Sequence, residues 1–222
     1  MLDVSAHLSG GQIVLEFERR RQKGPDPLEH VQRMTAAVQS SRGVRETLDA
    51  IAREVQLSTG FDRVMVYRFA ADDSGHVVAE ARRTAEIESF LDLHYPASDI
   101  PQQARRLYSS NWIRSIPDVH CRPALLEPAD NPRTAQPLDL SFSALRSVSP
   151  IHLQYLANMG VGASLSLSII VQDRLWGLIA CHHSRAHYLD SRLRSALELF
   201  AQVCSLQLAR SEEHTSELQS PI

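Results

Sequence analysis

From Val44 the apolar positions Leu48, Ile51, Ala52 and Val55 follow at i+4, i+7, i+8 and i+11, and the stretch closes at Gly60. That spacing predicts an amphipathic helix with a glycine stop. Val31, Met34 and Val38 predict a second helix before it, and Leu189, Leu193, Leu197, Phe200 and Cys204 a third near the end. Elsewhere the period falls to two. Residues 5–19 hold two extended runs about Ser9-Gly10-Gly11, with Ile13, Leu15 and Phe17 alternating against Val14, Glu16 and Glu18, so a strand pair is expected. Arg63–Phe69 and 76–81 read as strands joined by the turn-forming run Ala71-Asp72-Asp73-Ser74-Gly75. Residues 112–116 read as a strand, and Ala163–Val171 with 175–182 as a hairpin about Gln172-Asp173-Arg174.

Two short helices fit between these strands. Ser149 is an N-cap candidate, Pro150 suits a first helical turn and Gly160 a left-handed stop, so 150–159 is expected to be helical with His152, Tyr155 and Leu156 on one face. Taken alone, an imidazole on such a face reads as a satisfied core histidine. Asp99 stands where it could cap a helix opened by Pro101 and running over 102–108. Lys23-Gly24-Pro25-Asp26-Pro27 has linker composition, and 117–148 carries five prolines with little periodicity, a long loop for a compact domain. Helices flanking antiparallel strands make an α+β domain.

Charge and composition narrow the function. The chain has a net charge of −3, but residues 211–222 contribute three Glu and no Lys or Arg, so residues 1–210 balance 23 basic against 23 acidic groups. No nucleic-acid footprint is expected. No run approaches a membrane span, no signal peptide opens the chain, and a cytoplasmic location is expected. Cys121, Cys181 and Cys204 form no disulfide framework, and with the nearby histidines they match no usual zinc spacing, so no metal site is assigned. Nucleophile-elbow, phosphate-loop and paired-carboxylate signatures are lacking, and no enzyme activity is expected.

The runs Pro96-Ala97-Ser98-Asp99-Ile100-Pro101 and Ser149-Pro150-Ile151-His152-Leu153-Gln154-Tyr155-Leu156-Ala157-Asn158-Met159-Gly160-Val161, with the order and spacing of 61–188, resemble the phytochrome GAF domain. The resemblance implies a central antiparallel sheet flanked by helices, with 117–148 as a lasso. It implies that residues 1–20 are the end of a preceding PAS domain, 21–30 a linker and 31–209 the GAF domain. Residues 210–222 resemble the in-frame translation of a sequencing adapter and are set aside, with the native protein expected to continue past 209. The implied function is a red/far-red photoreceptor module that binds biliverdin IXα or a related linear tetrapyrrole and signals by double-bond isomerisation. The alternative is a GAF domain that binds another small ligand or serves in dimerisation and signal relay.

The resemblance also implies a binding set: Tyr67, Tyr95, Asp99, Ile100, Pro101, Tyr108, Arg114, Arg146, Ser149, His152, Tyr155, Ser164, Ser166 and His182. In it Arg114 and Arg146 hold propionates with Ser149, Ser164 and Ser166 nearby, guanidinium being the bidentate partner of a carboxylate. Asp99 turns its carbonyl to the pyrrole nitrogens and its carboxylate outward. His152 helps hold the bilin protonated, His182 lies near the D-ring carbonyl, and Tyr67, Tyr95 and Tyr155 pack about that ring. Ile151 replaces the attachment cysteine that many relatives carry, and biliverdin-binding relatives use an upstream cysteine, so the attachment cysteine is expected to be absent from this chain. Weak noncovalent binding is expected. Implied partners are a second copy through the GAF helices, PHY and output domains, commonly a histidine kinase, and a response regulator; without PHY, photoconversion is expected to be incomplete.

Overall fold

The computed structural model describes residues 1–20 and 26–219, with side chains described to residue 211. Strands β1 (Leu2–Ser9) and β2 (Gln12–Arg19) pair antiparallel as a separate two-stranded sheet. Gly10 and Gly11 both take left-handed φ, 55° and 77°, as a two-residue hairpin turn requires. Helix α1 spans Pro27–Gln39; the Asp26 side chain accepts from Leu28 N and Pro27 opens the first turn. The expected linker 21–30 therefore gives way to helix four residues early, because an Asp-Pro pair is a helix start as much as a linker signal. Residues 21–25 of that linker lie outside the described residues.

Helix α2 spans Val44–Thr59 and ends on Gly60 at φ 72°, as its spacing predicts. A methyl group at Gly60 would meet nothing closer than His187 Cε1 at 4.0 Å. Gly60→Ala is therefore expected to cost only the backbone term, about 1 kcal/mol in chemical denaturation.

A six-stranded antiparallel sheet follows, in the order β5-β4-β3-β8-β7-β6. Its strands are β3 (Arg63–Phe69), β4 (Gly75–Arg82), β5 (His94–Tyr95), β6 (Ile113–Ile116), β7 (Ala163–Val171) and β8 (Arg174–His183). Between them lie α3 (Gln102–Ser110) and α4 (Pro150–Asn158), and α5 (Ser191–Gln219) closes the fold. The β7–β8 turn is tighter than expected: Gln172 and Asp173 alone form it, at φ 50° and 59°, and Arg174 already pairs with Val171. The helix α5 runs through 210–219, the segment set aside on sequence grounds, because no Gly or Pro interrupts it before Pro221. Residues 220–222 of that segment lie outside the described residues.

Strand alternation assigns the two faces of the sheet. Val64 and Val66, Leu165, Leu167 and Ile169, and Ile179 and Cys181 point to one face and pack with Met34, Ile51, Val55, Leu197, Phe200 and Cys204 of α1, α2 and α5. Met65 and Tyr67, with Leu178, point to the other, where α3 brings Tyr108. A bulge at Val66/Tyr67 shifts the register so that Ala79 joins the first face while Val77 joins the second. Between 117 and 149 the described chain forms no helix or strand beyond a bridge between Asp130 and Pro137.

The N-terminal hairpin docks by its polar face. Glu16 accepts from Ala144 N at 3.0 Å and Leu145 N at 2.7 Å. Glu18 pairs with Arg194 on α5 and accepts from the Tyr188 hydroxyl at 2.8 Å. Leu2, Val4, Leu8, Ile13, Leu15 and Phe17 are left exposed.

Candidate functional site

The second face of the sheet floors a partly open cleft. From β7 come Ser164 and Ser166, from β8 Leu178, Ala180 and His182, from β3 Met65 and Tyr67, and from β4 Val77. Each set obeys the two-residue period, and the bulge brings Val77 into line. Ser164 pairs with His182 across β7 and β8, which places a hydroxyl and an imidazole side by side.

The α4 helix forms one wall. His152, Tyr155, Leu156 and Met159 line the cleft at i, i+3, i+4 and i+7, and the rings of His152 and Tyr155 stack with centroids 6.3 Å apart. Ser149 holds the N-cap position as expected, but its hydroxyl makes no cap bond, and the residue is exposed and is not among the residues that line this cleft. The opposite wall comes from Tyr95, Asp99, Ile100 and Tyr108, with Phe90 from the preceding loop. Asp99 does not cap α3: it ends a single 3-10 turn, Ala97–Asp99, and Pro101 takes the cap position. Pro φ is preset for the entry to a helix, so the chain needs no carboxylate there. Pro101 itself is exposed and is not among the cleft-lining residues. Ser168 anchors α3, its hydroxyl donating to Tyr108 O at 2.7 Å.

Arg114 and Arg146 line a smaller neighbouring cleft with Ser143 and Val148. The Arg114 guanidinium lies 4.9 Å from the ring centre of Tyr108, a residue of the main cleft, so the two spaces adjoin. Its Nε and Nη2 are buried with no hydrogen-bond partner among the described residues. Arg146 is more fully used, donating through Nη1 to Leu140 O at 3.3 Å, Ser143 O at 3.4 Å and Ser141 O. Burial, with Arg114 beside it, lowers the pKa of Arg146.

The electrostatics favour neutral imidazoles beside a cationic annex. Burial, then the charges of Arg63 and His152, push His182 down to about 4, and its Nδ1 is buried without a hydrogen-bond partner among the described residues. Burial and the Arg114 charge lower His152 as well. Near neutral pH each ring offers one donor and one acceptor. Burial raises Tyr67 to about 12, with Asp99 adding to the shift. Burial raises Tyr155 too, and Asp99 adds to it. The half-buried Asp99 carboxylate thus acts on the phenols around it.

Of the fourteen residues proposed from sequence, ten line the main cleft, Arg114 and Arg146 the annex, and Pro101 and Ser149 neither. Residues missed were Met65, Val77, Phe90, Leu156, Met159, Leu178 and Ala180. Counting by two from Tyr67 and His182 finds Met65, Ala180 and Leu178, and counting along α4 finds Leu156 and Met159. Val77 is hidden by the bulge, and Phe90 sits in a loop with no period.

Residues 43–210 match the family described as GAF domain. The chain is 47% identical over 219 residues to a bacteriophytochrome of Pseudomonas aeruginosa, covering 96% of this chain and 30% of that protein. It is 45% identical over 215 residues to cyanobacterial phytochrome B of Nostoc sp., covering 95% of this chain and 28% of that one. The crystal structure of the chromophore-binding domain of the bacteriophytochrome RpBphP3 from R. palustris superposes with a TM-score of 0.91 at 43% identity, over 96% of this chain and 70% of that one. The chain belongs to the GAF domain family, on its bacteriophytochrome branch. As a GAF domain of this branch it spans under a third of the length of the two curated relatives. The family's sheet and its α4 helix account for the cleft, whose floor and wall are built from them. Among the described residues no helix is long and apolar enough to cross a membrane.

Proposed function

We propose that this chain is a light-sensing module that holds a linear tetrapyrrole, biliverdin IXα or a close relative, in the cleft of the GAF sheet. The observation that carries the reading is the pairing of an apolar, phenol-lined cleft with a buried guanidinium whose Nε and Nη2 have no hydrogen-bond partner among the described residues. A buried cation with free donors asks for an anion, and a tetrapyrrole brings two propionates on a long apolar body. The residues present fit that group. When bound, it supplies the absorbing conjugated system and the double bond that isomerises between its C and D rings.

Arg114 would bind one propionate through its free donors, with Arg146 lining the same annex. His152 and His182, held neutral, would place a donor and an acceptor at the pyrrole and D-ring ends. Tyr67, Tyr95 and Tyr155 exclude water from one end of the cleft while their phenols stay protonated. Attachment is proposed to be noncovalent in this chain. Cys181 and Cys204 are buried in the core on the far face, Cys121 is exposed in the long loop, and no cysteine is among the cleft-lining residues described.

The domain reading is proposed on the same footing. The exposed apolar face of the β1–β2 hairpin is what the last strands of a larger sheet would present, which supports its reading as the end of a PAS domain. Exposed Leu199 and Leu206 on α5 support a homodimer through the GAF helices. PHY and output domains, with a histidine kinase and response regulator, complete the proposed pathway, and a cytoplasmic location suits it.

The test is the absorbance of the chain mixed with biliverdin, before and after red illumination. A sharpened long-wavelength band that changes with light is expected. A folded sample that leaves the biliverdin spectrum unaltered would overturn the reading.

A further inference from the structure

The turn between β3 and β4 touches two walls of the cleft. Its last residue, Gly75, pairs with Phe69 and with Tyr95. A methyl group on Gly75 would stand 2.5 Å from Cε1 and Cζ of Tyr67 and 2.6 Å from its hydroxyl oxygen. Gly75 is not among the left-handed glycines, so the ring, not the backbone, demands the missing side chain. On the other side, Gly177 of β8 leaves room for the Tyr67 carbonyl in the same way. Tyr67 is thus seated between two bare stretches of backbone.

The other end of the turn reaches α3. Asp73 accepts from Arg105 Nη2 at 2.7 Å. The same guanidinium donates through Nη1 to Ile100 O at 2.5 Å and to Ala97 O at 3.4 Å, the carbonyls on either side of Asp99. Arg105 has only 15% of its side chain exposed, against 58% for Asp73. A pair with one exposed partner adds little stability. Its consequence is geometric, since a planar fork fixes three acceptors relative to one another.

We propose that the β3–β4 turn is a positioning element of the pocket: Gly75 sets the depth of the Tyr67 ring, and Asp73, through Arg105, sets the place of the Asp99 turn. The inference rests on the chromophore reading above and adds to it the residues that hold Tyr67 and Asp99 in register with each other. None of Asp73, Gly75 and Arg105 lines the cleft.

The test uses the full chain with ring-labelled tyrosine, followed by NMR first alone and then with biliverdin, alongside thermal melting. Gly75→Ala is expected to move the Tyr67 ring signals and those of Tyr95, whose ring lies 5.9 Å away. With biliverdin it shifts the long-wavelength band and lowers the photoconversion yield several-fold. Asp73→Asn keeps a residue at ease with φ 67°, so the melt stays as in the parent while the signals of Tyr155, beside Asp99, move. Arg105→Lys keeps the charge but not the fork and is expected to match Asp73→Asn. The double variant is expected to match Arg105→Lys alone, because the two residues form one link. Parent-like Tyr67 signals in Gly75→Ala, or parent-like Tyr155 signals in Asp73→Asn, would overturn the proposal. Should Gly75→Ala not fold, Asp73→Asn and Arg105→Lys decide it. A parent chain that leaves the biliverdin spectrum unaltered removes the chromophore reading alone, and the ring signals without ligand still decide the positioning.

Discussion

Arg114→Met is expected to weaken biliverdin binding far more than it alters the fold. Removing one partner of a buried, charge-assisted pair costs about 2–5 kcal/mol, which corresponds to a roughly thirty-fold to several-thousand-fold rise in Kd. Stability of the ligand-free chain should move the other way or not at all. The Arg114 Nε and Nη2 are buried without hydrogen-bond partners among the described residues, and such donors cost about 1–3 kcal/mol. The loss of its contact with Tyr108, 4.9 Å away, returns about 0.5–1 kcal/mol. Met keeps most of the volume, so little cavity forms. Spectral titration and urea unfolding of the same preparation separate the two effects. A variant that binds as tightly as the parent, or one whose affinity and stability fall together, would remove Arg114 from the anion site. The same change at Arg146 is expected to do less for binding and more for the loop, because its Nη1 already serves the carbonyls of Leu140, Ser141 and Ser143.

The contrast between these arginines shows where sequence reasoning stops. Both were expected as carboxylate partners from the resemblance, and the structure brings them into one annex. Which guanidinium is free depends on how the 117–148 loop folds, and that loop has no period to read. Five of the six strands were legible, and alternation in Arg63–Phe69 and Ala163–Val171 names two faces; the two-residue edge strand His94–Tyr95 is too short to show a period. Alternation does not say which face is covered. In β2 the residues Ile13, Leu15 and Phe17 look like the buried set, yet they are exposed, while Glu16 and Glu18 are each only 8% exposed. The buried acids are tolerable because Glu18 meets Arg194 and Tyr188, and Glu16 meets two backbone amides. Those partners lie more than a hundred residues away, beyond any local pattern. The α4 face was legible for the opposite reason. His152, Tyr155 and Leu156 are three residues of one turn, and the helix alone brings them together. Tertiary context then decided only what faced them, through the bulge that turns Val77 inward and the loop that brings Phe90.

His182 is expected to make stability fall as the pH is lowered from about 6.5 toward 4. Its pKa is depressed by burial, then by Arg63 and His152, to about 4 from an ordinary value of 6.5. Between these values the unfolded chain binds a proton that the folded ring refuses, so acid favours unfolding there. The contribution is complete above about 6.5, lost through that window and level below it, and it amounts to at most about 3 kcal/mol. His152, also lowered by burial and by Arg114, acts in the same direction. Glu198 opposes it, because burial raises its pKa and the folded state gains the proton first. The parent curve therefore mixes several groups, and the informative quantity is the difference between parent and His182→Gln. Urea unfolding at pH 7, 6 and 5 is expected to show that difference shifting in favour of the variant by about 2 kcal/mol between pH 7 and 5, since Gln has no proton to refuse. Parallel curves would mean that water or a partner reaches Nδ1 and that the ring titrates normally. Of the slope that persists in the variant, the part due to His152 should shrink in Arg114→Met, because the guanidinium is the charge that acts on that ring.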